Sequence, residues 1–593
     1  MNQKYPHPLQ VLAAIGFIIF SQTVAAKSAA DTLDLDVTFV GDREVLLQDA
    51  HKQLHWPVAA KLTTSKPTFS YNVIPKRLNV EPEWTRNGPI RLKVNEPLSR
   101  LYKGYINAGM GNYLSPLLQV SYSDIRSRSK SWGVHFTHES TDGGFISNDS
   151  INQQFSSNHL NGWYRKFWKD EAITAASSYA REYISLYGGQ RAANQGSLTS
   201  QVPDGFNYQV ISNRIHLTNR MNRSAHWQHE LRLDHDYLWN NDHAQEHNFD
   251  LKIGFSGLLD TTAVKLDIHA NVDRLNRVKE GDRVRNERQA ILDIHPGIKK
   301  SFGPIKTSIG IGLWIDAQGN QPFLFTPELE ASVSLLRDLF VPYIRINGGI
   351  DQNRYQTALG VNPFVTLPIT SLLDTNRIWH NTYETVHGVI GMKGSITRSF
   401  SFNINAELKR NNQHLFWAQQ DALSEGRSFA PFYQDVTIAS LRGDGTLTLS
   451  ESTELIGQVS QHNYRFRDSI TSNQEAWFLP KFELDATISH TIKGKLRLKA
   501  NLLFQTGRLG LAVKAGASEE GNEAVIIEAT NTSIGYSAKL DNVALLNLHA
   551  EYLYNARVSG WIKLNNILNQ TNPFFTGYDN QNFRFQMGAS YSF

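Results

Sequence analysis

The chain has 593 residues, of which 40% are hydrophobic and 11% aromatic, with a formal net charge of +4 and no cysteine. That length exceeds one ordinary soluble domain, and a nearly balanced charge without a dense basic cluster argues against nucleic acid as a partner. Past the N-terminal segment no apolar run is long enough to cross a bilayer as a helix, which excludes a helical membrane protein.

The first segment, "MNQKYPHPLQVLAAIGFIIFSQTVAAKSAA", places Lys4 ahead of an apolar stretch from Leu9 to Phe20 and ends on Val24-Ala25-Ala26 before Lys27. A positive start, a short apolar core and small residues at the cut predict a secretory signal peptide over residues 1–26. The stretch is shorter than the roughly 20 residues of a helical span, and no cysteine at the cut is available for a lipid anchor. The lack of cysteine throughout fits an oxidising compartment. Residues 27–102 are punctuated by Pro57, Pro67, Pro75, Pro82 and Pro89, which no single regular element accommodates. They are expected to form an N-terminal periplasmic arm or a vestigial plug.

From about residue 103 to Phe593 one pattern repeats. In "AHWQHELRLDHDYLW", Trp227, Leu231, Leu233, Tyr237 and Trp239 share a face, and Gln228, Glu230, Arg232, Asp234 and Asp236 share the other. "FDLKIGF" sets Phe249, Leu251, Ile253 and Phe255 against Asp250 and Lys252, and "VKLDIHANV" sets Val264, Leu266 and Ile268 against Lys265, Asp267 and His269. "LLQVSY", "WGVHF", "KTSIGIGLWI", "FSFNINAEL", "KFELDATISH" and "KLRLKANLLF" alternate in the same way. Period two predicts strands with one apolar and one polar face.

A soluble β-sandwich would alternate too. Three features favour a transmembrane barrel: strands longer than a crossing needs, polar faces bearing serial full charges as a wet lumen would, and aromatics such as Trp227, Trp239, Tyr105 and Tyr113 at strand ends. Closure satisfies every backbone group, as hydrocarbon demands. The fold class is therefore all-β, an antiparallel outer-membrane barrel of about 22 strands within a range of about 14 to 22. "HLFWAQQDAL" and "FYQDVTIASL" are left open between strand, loop and lumen filling. "GLLDTT", "KSFGPIK" and "TIKGK" read as short periplasmic turns; "GGQRAANQGSLTSQVPDG" and "RLNRVKEGDRVRNER" read as extracellular loops. Lumen-facing candidates are Glu230, Arg232, Asp234, Asp236, Asp250, Lys252, Lys265 and Asp267.

The chain ends in "NFRFQMGASYSF", where Phe583, Phe585, Met587, Ala589, Tyr591 and Phe593 alternate with polar or small residues. Such a strand is an aggregation hazard unless its edge is paired, and pairing with "GYINAGMGNY" would close the ring. The ending resembles the C-terminal signature of bacterial outer-membrane barrels, which implies that Tyr591 and Phe593 address the chain to the barrel-assembly machinery. The segment "LNLHAEYLYNARVSGWIKLNNILNQTNPFFTGYDNQNFRFQMGASYSF" resembles the end of TonB-dependent receptor barrels. "PTFSYNVIPKRLNVEPEWTRNGPIRLKVNEPLSRLYKGYINAGMGNYLSPLLQVSYSDIRS" and "EAWFLPKFELDATISHTIKGKLRLKANLLFQTGRLG" are similar to large barrels of that type lacking a regular plug. The resemblance implies a multi-pass protein of the Gram-negative outer membrane, in contact with its lipid, and a TonB-type energy transducer or other envelope proteins as partners. "LDVTFVGDREVLLQDA" has the character of a TonB box, or equally of a plain periplasmic arm.

No catalytic pattern stands out. His226, His229, His235, His243 and His247 cluster, but His226 and His229 fall on opposite faces of a strand and do not share one ion. "DHDYLWNND" lacks the glycine and closing glutamate of a standard calcium loop. No nucleophile elbow, zinc helix or phosphate loop occurs, so no enzyme, cofactor or metal is expected. The reading that remains is a transport channel or receptor for an unidentified solute, with a structural or binding component of an envelope complex as the alternative.

Overall fold

The computed structural model describes residues 102–593 apart from 125–126, 128, 146–151, 189–203, 220–226, 278–284, 337, 368–376, 398, 421–425, 468–474, 515–522 and 527–533. The arm or plug expected over 27–102 lies, but for Tyr102, outside the described residues.

The first strands are β1 (Gly104–Gly111), β2 (Leu117–Asp124), β3 (Lys130–Asp142), β4 (Gln154–Phe167), β5 (Ala172–Ser185), β6 (Gly205–Thr218), β7 (Trp227–Asn240) and β8 (Ala244–Leu259). Next come β9 (Thr262–Arg277), β10 (Arg285–Phe302), β11 (Ile305–Asp316), β12 (Phe323–Val333), β13 (Val341–Asp351), β14 (Thr382–Thr397), β15 (Phe400–Gln420) and β16 (Ser428–Ser450). The rest are β17 (Thr453–Phe466), β18 (Phe482–Ile492), β19 (Leu496–Thr506), β20 (Leu509–Lys514), β21 (Glu523–Ile526), β22 (Ile534–Lys539), β23 (Val543–Leu553), β24 (Val558–Asn565) and β25 (Arg584–Ser592).

Each strand pairs antiparallel with the next as far as β19, which pairs with β23; β24 and β25 follow, and β25 pairs with β1. The wall is thus a closed ring of 22 strands. Strands β20, β21 and β22 form a small insertion between β19 and β23. A closed ring leaves no edge, which is the condition for strands to stand in hydrocarbon.

Alternation accounts for the ladder locally. On β7, Trp227 is 57% exposed and Leu231 and Leu233 are 41% exposed, while Leu238 and Asn240 on the other face are buried. Near one rim the apolar side of β7 and β8 carries a run of stacked rings, Trp239 on Tyr237, Tyr237 on His247, and His235 on Phe249, at centroid separations of 5.0, 4.3 and 4.4 Å. Such a cluster of aromatic and imidazole rings suits a membrane interface.

The two rims differ. Beside Gly104 and Phe593 the hairpins are tight, with Asp260–Thr261 and Gly303–Pro304 as connections; these are the turns expected from "GLLDTT" and "KSFGPIK". The opposite rim carries the long connections, 186–204, 352–381, 507–542 and 566–583. Of "RLNRVKEGDRVRNER", the two ends lie on strands, since β9 runs to Arg277 and β10 starts at Arg285, while 278–284 lie outside the described residues. Its charges ride on strand ends, as Arg277 does when it pairs with Asp242 at 2.7 Å. "HLFWAQQDAL" and "FYQDVTIASL" lie largely on β15 and β16. The wall is also uneven in height. At roughly 3.3 Å per residue, the 23 residues of β16 make about 75 Å of chain and the 8 of β1 about 26 Å.

At the closing seam Lys103 and Gly104 donate backbone N–H to the Phe593 carbonyl at 2.8 and 2.9 Å, and Phe593 donates back to the Gly104 carbonyl at 2.9 Å. The Phe593 ring lies on Gly104, where any side chain would collide with it. The terminal residue is thus part of the ladder that closes the ring, and its ring is still 47% exposed.

Candidate functional site

Every charged residue singled out on β7, β8 and β9 has a partner, from a neighbouring strand, from its own strand or from further off. Glu230 pairs with His216 at 2.9 Å, and Asp234 takes Arg214 and Arg232, both at 2.5 Å. Asp250 is bonded by His269 at 2.6 Å and flanked by Lys252 at 3.6 Å. Lys265 lies 3.8 Å from Asp267 and 3.5 Å from Glu328. Asp236 turns elsewhere, to Arg354 in the β13–β14 connection at 3.0 Å.

The sequence reading missed what links these groups. His269 bridges Asp250 and Asp293 (2.8 Å to the latter), His295 bridges Asp293 (2.9 Å) and Glu328, and Glu328 meets Lys265. This chain of alternating imidazoles and carboxylates crosses from β8 to β12. A carboxylate only accepts, so each imidazole between two of them is held by donation from both nitrogens. The period-two count had already set His269 on the polar face of β9, and continuing it along β10 would have found Asp293; which strand faces which was not in the pattern. The candidate calcium stretch from Asp234 is mostly strand, and among the described residues no three or more His, Asp or Glu side chains converge as a metal would need. His226 lies outside the described residues.

The second half of the site is the β13–β14 connection. Among its described residues it has one helix, Tyr355–Val361, of seven residues, which buries Tyr355, Ala358 and Leu359. So short a helix leaves most of its backbone donors without internal partners. Glu246 at the start of β8, 1% exposed, accepts the N–H groups of Tyr355 and Gln356 at 2.7 and 2.8 Å. A carboxylate there also meets the positive end of the helix. Arg354 reaches Asp236 at 3.0 Å and Glu246 at 3.8 Å. Burial works against its charge, but Glu246, Asp236 and Asp273 outweigh burial and hold the guanidinium above the usual arginine range.

The other stem is fastened by the same device. Glu287 on β10 accepts the N–H groups of Ile378 and Trp379 at 2.8 and 3.2 Å. The Tyr433 hydroxyl on β16 donates to the Ile378 carbonyl at 3.1 Å and accepts from the His380 N–H at 3.0 Å. Asn353 donates to the His380 carbonyl at 2.8 Å and joins the two stems. The segment is welded to the wall at both ends.

Its far side meets loops from across the ring. Phe364 stacks on Tyr578 of the β24–β25 connection with centroids 3.4 Å apart and planes 17° from parallel. Both rings are fully buried. Phe575 packs on Phe429 and Phe478 at 5.5 and 5.4 Å, and Tyr187 of the β5–β6 connection lies edge-on to Tyr578 at 5.0 Å. The Tyr578 hydroxyl donates to the Arg427 carbonyl, and that of Tyr187 to the Asp579 carbonyl at 2.9 Å. Burial pushes the Tyr578 phenol well above its ordinary range, so it stays a neutral donor. The β13–β14 and β24–β25 connections spring from points eight strands apart in the ring of 22. Their contact therefore reaches across the mouth, and the apolar cluster around it ties together connections of the rim that carries the long loops.

No protein-family model and no curated protein matches the chain. Solved structures do match its fold. The pyoverdine outer membrane receptor FpvA of Pseudomonas aeruginosa, bound to pyoverdine, superposes with a TM-score of 0.59 at 12% identity over 84% of this chain and 79% of that one. The FrpB iron transporter of Neisseria meningitidis gives 0.61 at 8% identity over 84% and 82%. The ferric-catecholate import receptor Fiu of Escherichia coli gives 0.58 at 8% identity over 83% and 82%.

Proposed function

We propose, from a fold shared with outer-membrane siderophore receptors and iron transporters, that this protein is a TonB-dependent-receptor-like barrel of the Gram-negative outer membrane that takes up an iron chelate of the siderophore class. The observation that carries the reading is the meeting of loops across the mouth of a ring of 22 strands. A bore this wide leaks unless it is filled, and a sealed mouth suits a receptor that admits selected cargo. A TonB-type transducer is the partner the reading calls for. The chain holds 12 tryptophans, among them Trp379 and Trp477 buried in the sealing cluster. Titrating purified protein with a panel of ferric siderophores should give saturable quenching of tryptophan fluorescence by at least one, with planar bilayers showing no steady current. A barrel that binds none and conducts steadily would be a diffusion channel instead.

In this reading the polar faces of β7 to β9 line the lumen, placing Glu230, Arg232, Asp234, Asp236, Asp250, Lys252, Lys265 and Asp267 there. Support comes from the Arg354 contact to Asp236, since a connection that spans the mouth reaches the wall from within. With single cysteines in place of Glu230 and Leu231, a lipid-dissolved reagent should modify the second and not the first. The reverse order would put the strand in the opposite register.

Phe593 and Tyr591 are assigned to assembly. Phe593 is half-exposed, so truncation should cost less than the roughly 1.5 to 3 kcal/mol of a fully buried large side chain. Phe593→Ser should lower the amount of protein reaching the outer membrane and leave the melting temperature of what arrives nearly unchanged. Normal yield with a much lower melting temperature would make the residue a packing element only.

A further inference from the structure

The wall has one weak joint. Strands β12 and β13 each have 11 residues, yet their ladder pairs only Leu329–Ser332 with Tyr343–Ile346. By contrast β11 and β12 pair along the whole length from Ile305↔Val333 to Ile315↔Phe323. Among the described residues no ladder pair joins Phe323–Glu328 to the upper part of β13. The gap lies in the half of the joint toward the long-loop rim.

Sequence accounts for it. Pro327 sits inside β12 and has no N–H to give, a residue normally confined to sheet edges. On β13 the register slips between Asn347 and Gly349 against β14. What holds the strands together there is side chains. A Cβ at Gly348 would stand 2.7 Å from the Thr326 methyl, so the two strands remain in contact. The Trp314 indole of β11 reaches over β12 to Gly349 and donates to the Thr326 hydroxyl at 3.3 Å. On the polar side of the wall, Leu324, Ile350, Ile291 and Tyr383 form a small apolar cluster with Trp314 against it. On the opposite side Phe323 and Phe325 are more than half exposed.

We propose that the upper half of the β12–β13 joint is a lateral gate in the barrel wall, opening toward the outer leaflet to admit the alkyl chain of a membrane lipid. Two independent features point the same way. Backbone groups left unpaired in hydrocarbon cost several kcal/mol each, so an unladdered stretch is the least costly place to part the wall. The side chains behind it are mostly apolar, with the Tyr383 hydroxyl turned to Asp316 at 2.9 Å, on a face where β7 to β9 carry ion pairs, and so offer an alkyl chain a surface for which water competes poorly. The β13–β14 ladder continues to Asp351↔Thr382, so a parting joint carries the base of the mouth-sealing segment with it. The proposal is independent of the cargo.

The test uses the full-length protein in phosphatidylcholine vesicles doped with a phospholipid bearing a maleimide at the end of one acyl chain. Thr326→Cys is compared with Thr487→Cys, a buried but slightly more exposed threonine of β18 inside unbroken ladders. The chain has no cysteine of its own to confuse the readout. Thr326→Cys should react at least about tenfold faster than Thr487→Cys, because only its joint parts toward lipid. A hydrophilic maleimide should not reproduce the difference. The unaltered protein supplies the second measurement: those amides of Phe323–Glu328 that point toward β13 should exchange with deuterium at least about tenfold faster than those of Gly310–Ile315 on β11. Equal labelling of the two cysteines, a difference reproduced by the hydrophilic reagent, or equal amide protection would each overturn the gate.

Discussion

Replacing Arg354 with alanine is expected to release the β13–β14 connection while the strand ring stays folded. The guanidinium is 13% exposed and lies between Asp236 and Glu246, which are 20% and 1% exposed. Removing one member of a buried ion pair strands the other, at a cost of about 3 to 5 kcal/mol. Here the cost falls on the attachment of the segment, because the wall is held by long ladders on either side. Glu246 also has less reason to keep its charge, and with it the two helix N–H groups it accepts. Limited chymotrypsin digestion of the reconstituted protein should cut the variant between Tyr355 and Leu367 under conditions that spare the parent. The heat-dependent shift in gel mobility should persist in both. A variant as resistant as the parent would show that Glu287 and the aromatic cluster suffice, and the ion pair would lose its role as anchor.

Excising the segment altogether should have the largest effect on permeability. Joining Asn353 to His380 through a short Gly-Ser turn removes the helix, Phe364 and the clamps to Glu246 and Glu287, yet leaves every wall strand intact. A ring of 22 strands encloses a lumen that outer-membrane transporters keep plugged. The excised protein should therefore pass large, stepwise currents in planar bilayers where the parent is silent. Asn353 and His380 are already linked by a 2.8 Å hydrogen bond, so the short turn spans a gap the chain nearly closes by itself. Silence in the excised protein would mean that the segment is not the barrier.

The ring and its rims were legible in the sequence because period two is a local property. The alternation in "AHWQHELRLDHDYLW" fixes which residues share a face, and tight turns such as Gly303–Pro304 announce themselves. The partners of those faces were not legible. Asp234 meets Arg214 and Asp250 meets His269 through register between strands, which periodicity does not encode. The sealing segment was hidden for a different reason. Tyr355–Val361 has seven residues and no acidic residue in its first turn; its cap is Glu246, more than a hundred positions earlier in the chain. The ends of "RLNRVKEGDRVRNER" were read as loop because density of charge marks a loop in most proteins, whereas here it decorates the ends of β9 and β10.

The stacking of Phe364 on Tyr578 also bears on the mechanics of the cylinder. A thin cylindrical shell bends most easily by ovalising, two opposite walls drawing apart as the other two approach. A strut fixed across a long chord suppresses that mode along its own axis and leaves the perpendicular one soft. Here the strut ends on rings with no polar tie to each other, so it resists compression by contact and yields under tension once the rings part. The barrel is then stiff against squeezing along the line from β13–β14 to β24–β25 and compliant against stretching along it. Any load that pulls on one of those two walls would unseat the rings before it disturbs the ladders.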